Sequence, residues 1–323
     1  MTHIPIAIVG AGMTGLAAAR KLPPSSYQIF EKSRGAGGRL ASKRIKHQRA
    51  DIGAQFFTVR DPRFKAVVDL AHSAGTIQPW KPRMGTFRSS IPVDSPDTQQ
   101  RYVGAPYMNA LGRFLSQSVT IASETRIDTI RRNASCFVLT TTTGAEYSAE
   151  QVLVTIPVDQ MADLLAEFEI APIVKQFTME PTWTTVVSSN HQLTTSMHEP
   201  IDACFGGDHN VFDFISVERS KPGRDSDLIV VQASPEWSKV HLEHDHDWIA
   251  QTIATELTNT FDIEVEPVLT HRWRYARPKD PKMTTQKGIY QVDPGLWIAG
   301  DYLAGGRVEG AYLAGFEAAE RLT

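Results

Sequence analysis

The chain of 323 residues is 41% hydrophobic and 21% charged, enough for one large domain or two smaller ones with a sizeable core. Its formal net charge of −3 removes the general electrostatic case for a nucleic-acid or anionic-membrane partner. Cys136 and Cys204 are its two cysteines, which excludes a disulfide framework, a multi-cysteine zinc site and a CxxC redox pair. In chain order, IPIAIV at 4–9 reads as a short buried strand. No basic leader stands ahead of it and no apolar run of about 18 residues follows, so a cytoplasmic protein without a membrane span is expected.

Residues 15–22 (GLAAARKL) read as an alanine-rich helix and Tyr27–Phe30 as a second strand, which completes one strand–helix–strand unit. Residues 34–60 read as a Gly- and Arg-rich loop, and Arg63–Ala71 as an amphipathic helix. The stretch 76–106, with Pro79, Pro82, Pro92, Pro96 and Pro106, predicts irregular strands and loops. A helix is expected at Asn109–Gln117, antiparallel strands between Val119 and Thr143, and an apolar strand at Gln151–Ile156 that stops at Pro157. Further on come a helix at 159–168, strands at Thr184–Ser188 and Leu228–Ala233, and a helix at Asp247–Phe261. The opening pattern then returns: a strand at Leu296–Ala299, a glycine-rich turn at 300–310 and a helix at 311–322. The fold class this predicts is α/β.

The first constellation with chemical content is Gly10-Ala11-Gly12-Met13-Thr14-Gly15, a GxGxxG set that follows a strand and opens a helix. Gly10 makes the tight turn, Gly12 lets the backbone approach a pyrophosphate and Gly15 lets helix and strand pack closely. The helix N-terminus offers N–H groups to the phosphates. Glu31, at the end of the second strand, is placed to accept hydrogen bonds from both hydroxyls of a ribose. NAD and FAD share this fingerprint. Beyond Glu31 stand Gly37-Gly38-Arg39 and Arg44, whose guanidinium groups suit diphosphate oxygens.

Glu31 with Gly37-Gly38-Arg39, followed by Asp51-Ile52-Gly53-Ala54-Gln55-Phe56-Phe57, resembles the monoamine oxidase-type FAD superfamily. Gly300-Asp301 and Gly306-Arg307-Val308-Glu309-Gly310-Ala311 agree with it. Within that superfamily the chain is most similar to the renalase family. The similar segments are Lys32–Gly35, Asp51–Phe57, Glu218–Arg224, His271–Pro278 and Gly306–Gly310, which span the chain. The resemblance implies a Rossmann-type FAD-binding domain made of 1–60, 100–158 and 285–323, with a mixed-sheet substrate domain at 61–99 and 159–284. It also implies non-covalent FAD held by Gly10, Gly12, Met13, Thr14, Gly15, Glu31, Lys32, Gly38, Arg39, Arg44, Gln55, Phe56 and Phe57. Ile127 at the adenine, Pro157, Gly300, Asp301 on the ribityl chain, Arg307, Val308, Glu309 and Ala311 complete that set. The implied reaction is oxidation of a dihydronicotinamide dinucleotide isomer, with hydride passing to flavin N5, oxygen reduced to hydrogen peroxide and NAD(P)+ released.

A dihydropyridine is already a competent hydride donor, so binding and orientation suffice and dedicated acid–base residues are not required. A nicotinamide ring stacks on aromatics, which makes Trp183, Trp237, Trp273, Tyr275 and Tyr302 candidates for the substrate face, with His271 and Arg272 as polar partners. His241 and His244 have a spacing that suits zinc, but the run 241–247 reads as a solvated lead-in to a helix, and no metal is expected. Two other functions compete: an FAD-dependent oxidase of a small amine, and a non-catalytic dinucleotide-binding protein. An aromatic cage around a pocket without anions would favour the amine, whereas an open, Arg-lined mouth would favour the dinucleotide.

Overall fold

The β-branched and aromatic segments pair into two large sheets in the computed structural model, which describes residues 1–280 and 288–322. The first sheet is of Rossmann type. Thr2–Val9 runs parallel to Tyr27–Phe30 on one side and to Glu146–Val154 on the other, and Glu146–Val154 runs parallel to Leu296–Ala299. Such central strands are buried on both faces, and Ala7, Ile8, Val152 and Leu153 are fully inaccessible. The antiparallel strands Ile127–Asn133 and Cys136–Thr141 extend the sheet beyond Glu146–Val154. Helices Met13–Lys21 and Arg307–Leu322 pack against each other. A Cβ on Gly315 would lie 2.0 Å from Thr14 O, so only glycine permits this approach.

The second sheet is mixed, with strand order Glu266–Pro278, Met179–Ser188, Leu228–Ala233, Phe212–Val217, Ala203–Phe205, Met84–Arg88 and Ile91–Asp94. Helix His246–Phe261 covers it through Ile249, Ile253, Leu257 and Phe261, one apolar stripe at four-residue spacing. Asp245 caps that helix by accepting from Trp248 N at 2.7 Å. No helix among the described residues is long and apolar enough to cross a membrane.

Several elements depart from the sequence reading. The loop 34–60 contains a hairpin, Ser42–Ile45 with Gln48–Asp51, whose polar strands carry little apolar alternation. The helix read at 159–168 is a turn at Val158–Gln160 and one helical turn at Met161–Leu164. Pro172 opens a separate helix, Ala171–Gln176. The closing helix begins at Arg307, four residues before the expected start. The expected boundary at 284/285 lies outside the described residues.

A buried ionic cluster ties the hairpin at 42–51 to the turn that follows Phe212–Val217 of the mixed sheet. Asp51, Glu218 and Lys221 have fully inaccessible side chains and that of Arg224 is 1% exposed. Lys221 Nζ donates to Glu218 Oε1 at 2.6 Å and to Gln55 Oε1 at 3.0 Å, and Arg224 Nη2 lies 2.7 Å from Asp51 Oδ2. Arg224 Nη1 also pairs with Glu218. Burial opposes ionisation of Asp51, but Lys221 and Arg224 hold its carboxyl below the ordinary carboxylate range. Removing one partner strands an uncompensated buried charge. Asp51→Ala is therefore expected to lower stability by about 3–5 kcal/mol in urea denaturation. Removal of the exposed Lys65–Asp69 pair should leave the urea midpoint essentially unchanged.

Candidate functional site

A cleft of about 1340 Å³ runs between the Rossmann-type sheet and the mixed sheet. Ligand pockets usually measure about 300–1,000 Å³, so this one has room for a long cofactor together with a second molecule.

At its inner end the glycine turn is built for close approach. Gly10 has φ +108°, and a Cβ on Gly15 would stand 2.0 Å from Gly10 O, which locks the helix onto the strand. A Cβ on Gly12 would meet nothing within 4 Å, because Gly12 faces the open cleft. Glu31 Oε2 accepts from Ala11 N at 2.7 Å, and Oε1 accepts from Ser33 N at 2.8 Å and Ser33 Oγ at 2.6 Å. About three of the carboxylate's roughly four acceptor positions are thus used. The grip on both ribose hydroxyls expected from sequence requires the exposed Ser33 hydroxyl to turn aside.

Arg39 reaches across the cleft. Its Nη1 and Nη2 donate to Asp301 Oδ2 and Oδ1 at 2.9 and 2.6 Å, and Nη1 also donates to Ala276 O at 2.9 Å. Burial opposes the charge on Arg39, but Asp301 holds its pKa above the ordinary value. Past Asp301, Gly305, Gly306 and Arg307 all take left-handed φ (76°, 70° and 69°). A non-glycine residue in that region costs on the order of 1 kcal/mol or more. Arg307 is held so at the start of the closing helix, with its side chain on the cleft wall.

Of the residues singled out from sequence, Gly10, Gly12, Met13, Thr14, Glu31, Lys32, Gly38, Arg39, Ile127, Pro157, Gly300, Asp301, Arg307, Val308 and Ala311 line this cleft. His271, Arg272, Trp273, Tyr275 and Tyr302 do so as well. Others are placed elsewhere. Trp183 is fully buried in the core under helix His246–Phe261, with its indole N–H donating to His241 O at 3.0 Å, so it offers no stacking face. Trp237 packs on His241 and Trp248. Gln55 is consumed in the ionic cluster and by Ser216 Oγ at 2.8 Å. Phe57 is buried against Phe64 and Tyr102, and Phe56 packs on Phe214. Arg44 is exposed on the hairpin. Glu309 accepts from Arg60 N and Asp61 N at 2.7 and 2.8 Å, which clamps that segment to the closing helix.

Sequence reasoning missed the cleft wall formed by Thr182, Asp213, Gln232 and Arg277. Asp213 and Gln232 are single polar residues inside the apolar strands FDFISV and LIVVQA, a signal that could have found them. Gln232 Nε2 donates to Gly53 O at 2.8 Å and Trp273 Nε1 to Ile52 O at 2.9 Å, so the mixed sheet fixes the loop that lines the cleft between the two halves. Burial pushes the Asp213 carboxyl up, partly offset by Arg277 at 2.8 Å. Lys43 Nζ lies 3.4 Å from His271 Nδ1, and burial, with Lys43 and His246, pushes the His271 pKa down to about 4. Lys221 is inaccessible and fully engaged by the ionic cluster. Among the described residues no group of three or more His, Cys, Asp or Glu side chains could hold a metal ion.

The open glycine turn, the helix start behind it and the arginine opposite suit a dinucleotide cofactor. Residues 8–70 match the family model of an NAD(P)-binding Rossmann-like domain. Residues 98–323 match that of flavin containing amine oxidoreductase. Among solved structures, the chain is similar to a protein of Exiguobacterium sp. 255-15 assigned as a protoporphyrinogen oxidase, with 16% identity, TM-score 0.75 and 98% of each chain covered. It is also similar to putrescine oxidase bound to putrescine, with 13% identity, TM-score 0.70 and 99% of each chain covered. A fatty acid isomerase from P. acnes matches at 13% identity and TM-score 0.73, over 98% of each chain. At these identities the likeness is one of fold, and the three proteins are named for three different activities.

Three outcomes follow from this geometry. Gly12→Val places a side chain in open cleft, so it should cost less than about 1 kcal/mol of apoprotein stability and weaken FAD roughly 100-fold by blocking the phosphates. Gly15→Ala, which collides with Gly10 O, should lower stability by about 1–3 kcal/mol; flavin titration and thermal melting separate the two. In an NMR titration His271 should protonate with a midpoint of about 4. Because the folded pKa is depressed, its stabilising contribution is complete above the unfolded value of about 6.5 and declines as pH falls toward 4. A midpoint near the unfolded value would contradict the burial argument.

Proposed function

The chain belongs to the flavin containing amine oxidoreductase family and is an FAD-dependent oxidoreductase, and on that premise we propose that its substrate is a dihydronicotinamide dinucleotide, in the manner of the renalase family. The observation that carries this reading is the cleft mouth. Lys43, Arg272, Arg274 and Arg277 are among its lining residues; three of them are paired with Glu243 or Asp213, and their guanidinium groups suit the phosphates of a dinucleotide. The aromatic rings on the wall do not face each other as a cage. Trp273 meets His271 edge-on at 83°, and Tyr302 is buried on Phe177.

We assign Gly10, Gly12, Met13, Thr14, Gly38, Arg39, Ile127, Asp301, Arg307, Val308 and Ala311 to non-covalent FAD. Residues 1–60, 100–158 and the segment from about 285 form its domain, and 61–99 with 159–284 form the substrate domain. When bound, FAD supplies the two-electron acceptor that takes the hydride and passes its electrons to oxygen. In balance, one dihydronicotinamide, one dioxygen and one proton become one nicotinamide cation and one hydrogen peroxide.

The protein's part is placement. Trp273, pinned through its indole N–H to Ile52 O, gives a fixed edge for the dihydropyridine. Thr182, Asp213 and Gln232 offer polar groups for its carboxamide. His271, neutral at pH 7, adds no charge that would oppose the cationic ring formed as hydride leaves. This arrangement needs orientation and no proton relay.

Anaerobic stopped-flow absorbance tests the reading. Mixing the holoprotein with 2-, 4- and 6-dihydro isomers of NAD(P) should bleach the flavin band rapidly with the 2- or 6-forms, while a panel of small amines leaves it intact. Bleaching by amines alone would move the chain to the amine-oxidising branch of the family.

A further inference from the structure

The outer lip of the cleft carries a second cationic centre, separate from the glycine turn that faces the cofactor phosphates. Arg272 donates from Nη1 to Leu242 O at 2.8 Å and to Glu243 Oε2 at 3.0 Å. Arg274 donates from Nη1 to Glu243 Oε1 at 2.6 Å and from Nη2 to Oε2 at 2.8 Å. Lys43 stands on the facing hairpin beside His271, and all three cations line the cleft. Two guanidinium groups thus share one carboxylate, while Lys43 neighbours His271, whose side chain leaves the opposite face of the strand from Arg272 and Arg274. The adjacent Asp245 carboxylate is turned back onto Trp248 N.

The geometry has two properties of an anion site held closed by a weak counter-ion. The Arg272 guanidinium is anchored by a backbone carbonyl and lies 5.5 Å from the Trp183 ring, so its fork is positioned before any ligand arrives. Glu243 is exposed, and an exposed ion pair is held only loosely in water. A diphosphate carries more charge and more acceptor oxygens than a carboxylate, and matches guanidinium forks better.

We propose that Arg272 and Arg274 form a second diphosphate site at the cleft mouth, which takes the diphosphate of the dinucleotide substrate, and that Glu243 is its resident counter-ion, displaced when the substrate binds. The identity of the ligand rests on the function proposed above; the site itself rests on the lip. Glu243 then sets specificity. It must leave both arginines for a dinucleotide to seat, and a nucleoside without phosphates gives it no reason to leave.

Isothermal titration of the FAD-loaded protein with inorganic pyrophosphate at low salt tests the site without any hydride transfer. Arg274→Gln should weaken pyrophosphate about tenfold, Glu243→Gln should tighten it severalfold, and both should retain wild-type FAD content. Equal pyrophosphate affinity in all three proteins would overturn the site, as would loss of FAD from either variant, which would return these residues to the cofactor. In a second arm, the flavin is bleached with a reactive dihydronicotinamide dinucleotide and with the matching riboside. The concentration ratio for half-maximal rate between the two should fall in Arg274→Gln and rise in Glu243→Gln; an unmoved ratio counts against the site. If neither donor bleaches the flavin while pyrophosphate responds as expected, the site stands and the proposed substrate falls.

Discussion

One aspartate and one glutamate carboxylate and two cations, all buried, tie the hairpin after the glycine turn to the mixed sheet. Asp51 ends the hairpin that follows the glycine turn, whereas Glu218, Lys221 and Arg224 come from a turn after a strand of the mixed sheet. The charges cancel, and the remaining donors and acceptors are met by Gln55, Ser42, Met108 N, Pro106 O and Gly104 O. Arg224 also lies 4.9 Å from the Tyr107 ring. A cluster so fully satisfied tolerates little displacement, since each shift exposes a buried charge to an unpaired neighbour. It thereby sets where residues 52–54 stand, and those residues form the cleft wall between cofactor end and substrate end.

Much of the cofactor end was legible because its signals are local. Gly10 needs its positive φ and Gly15 its missing Cβ whatever the rest of the chain does, and Glu31 follows from the length of one strand–helix–strand unit. The strands Tyr27–Phe30, Leu228–Ala233 and Leu296–Ala299 were likewise written in short apolar runs. The substrate wall was read less well, because a side chain's face depends on register. Trp183 pairs with Arg272 and Thr182 with Trp273. One residue separates a tryptophan in the core from a threonine on the cleft, since neighbours in a strand point to opposite faces. Gln55 and Glu309 illustrate a second limit: a motif identifies polar residues but does not say whether their partners are a ligand or the protein's own backbone and cations.

The pairing of Arg39 with Asp301 links these two kinds of information. Both residues belong to motifs that point at a cofactor, and in the structure they bind each other and the carbonyl of Ala276. The three segments so joined are the loop after the second strand, the turn before the closing helix and the long strand of the mixed sheet. The guanidinium keeps unused N–H groups, so the contact fixes the residue's direction without exhausting its capacity. A positively charged group already aimed by the protein costs less to order when an anion arrives.

The order of strands in the Rossmann-type sheet has a consequence for synthesis. Leu296–Ala299 takes its place beside Glu146–Val154 only after the whole mixed sheet has been made. During translation, which adds residues from the N-terminal side at about 5–20 per second, the glycine turn emerges early. Its opposing wall, with Asp301 and the start of the closing helix, emerges many seconds later. Through that interval Val152–Val154 present an unpaired parallel edge, a hazard for misassociation that a nascent chain must survive. The cofactor cleft therefore cannot mature vectorially with the emerging chain, and closes as a late, long-range event of folding.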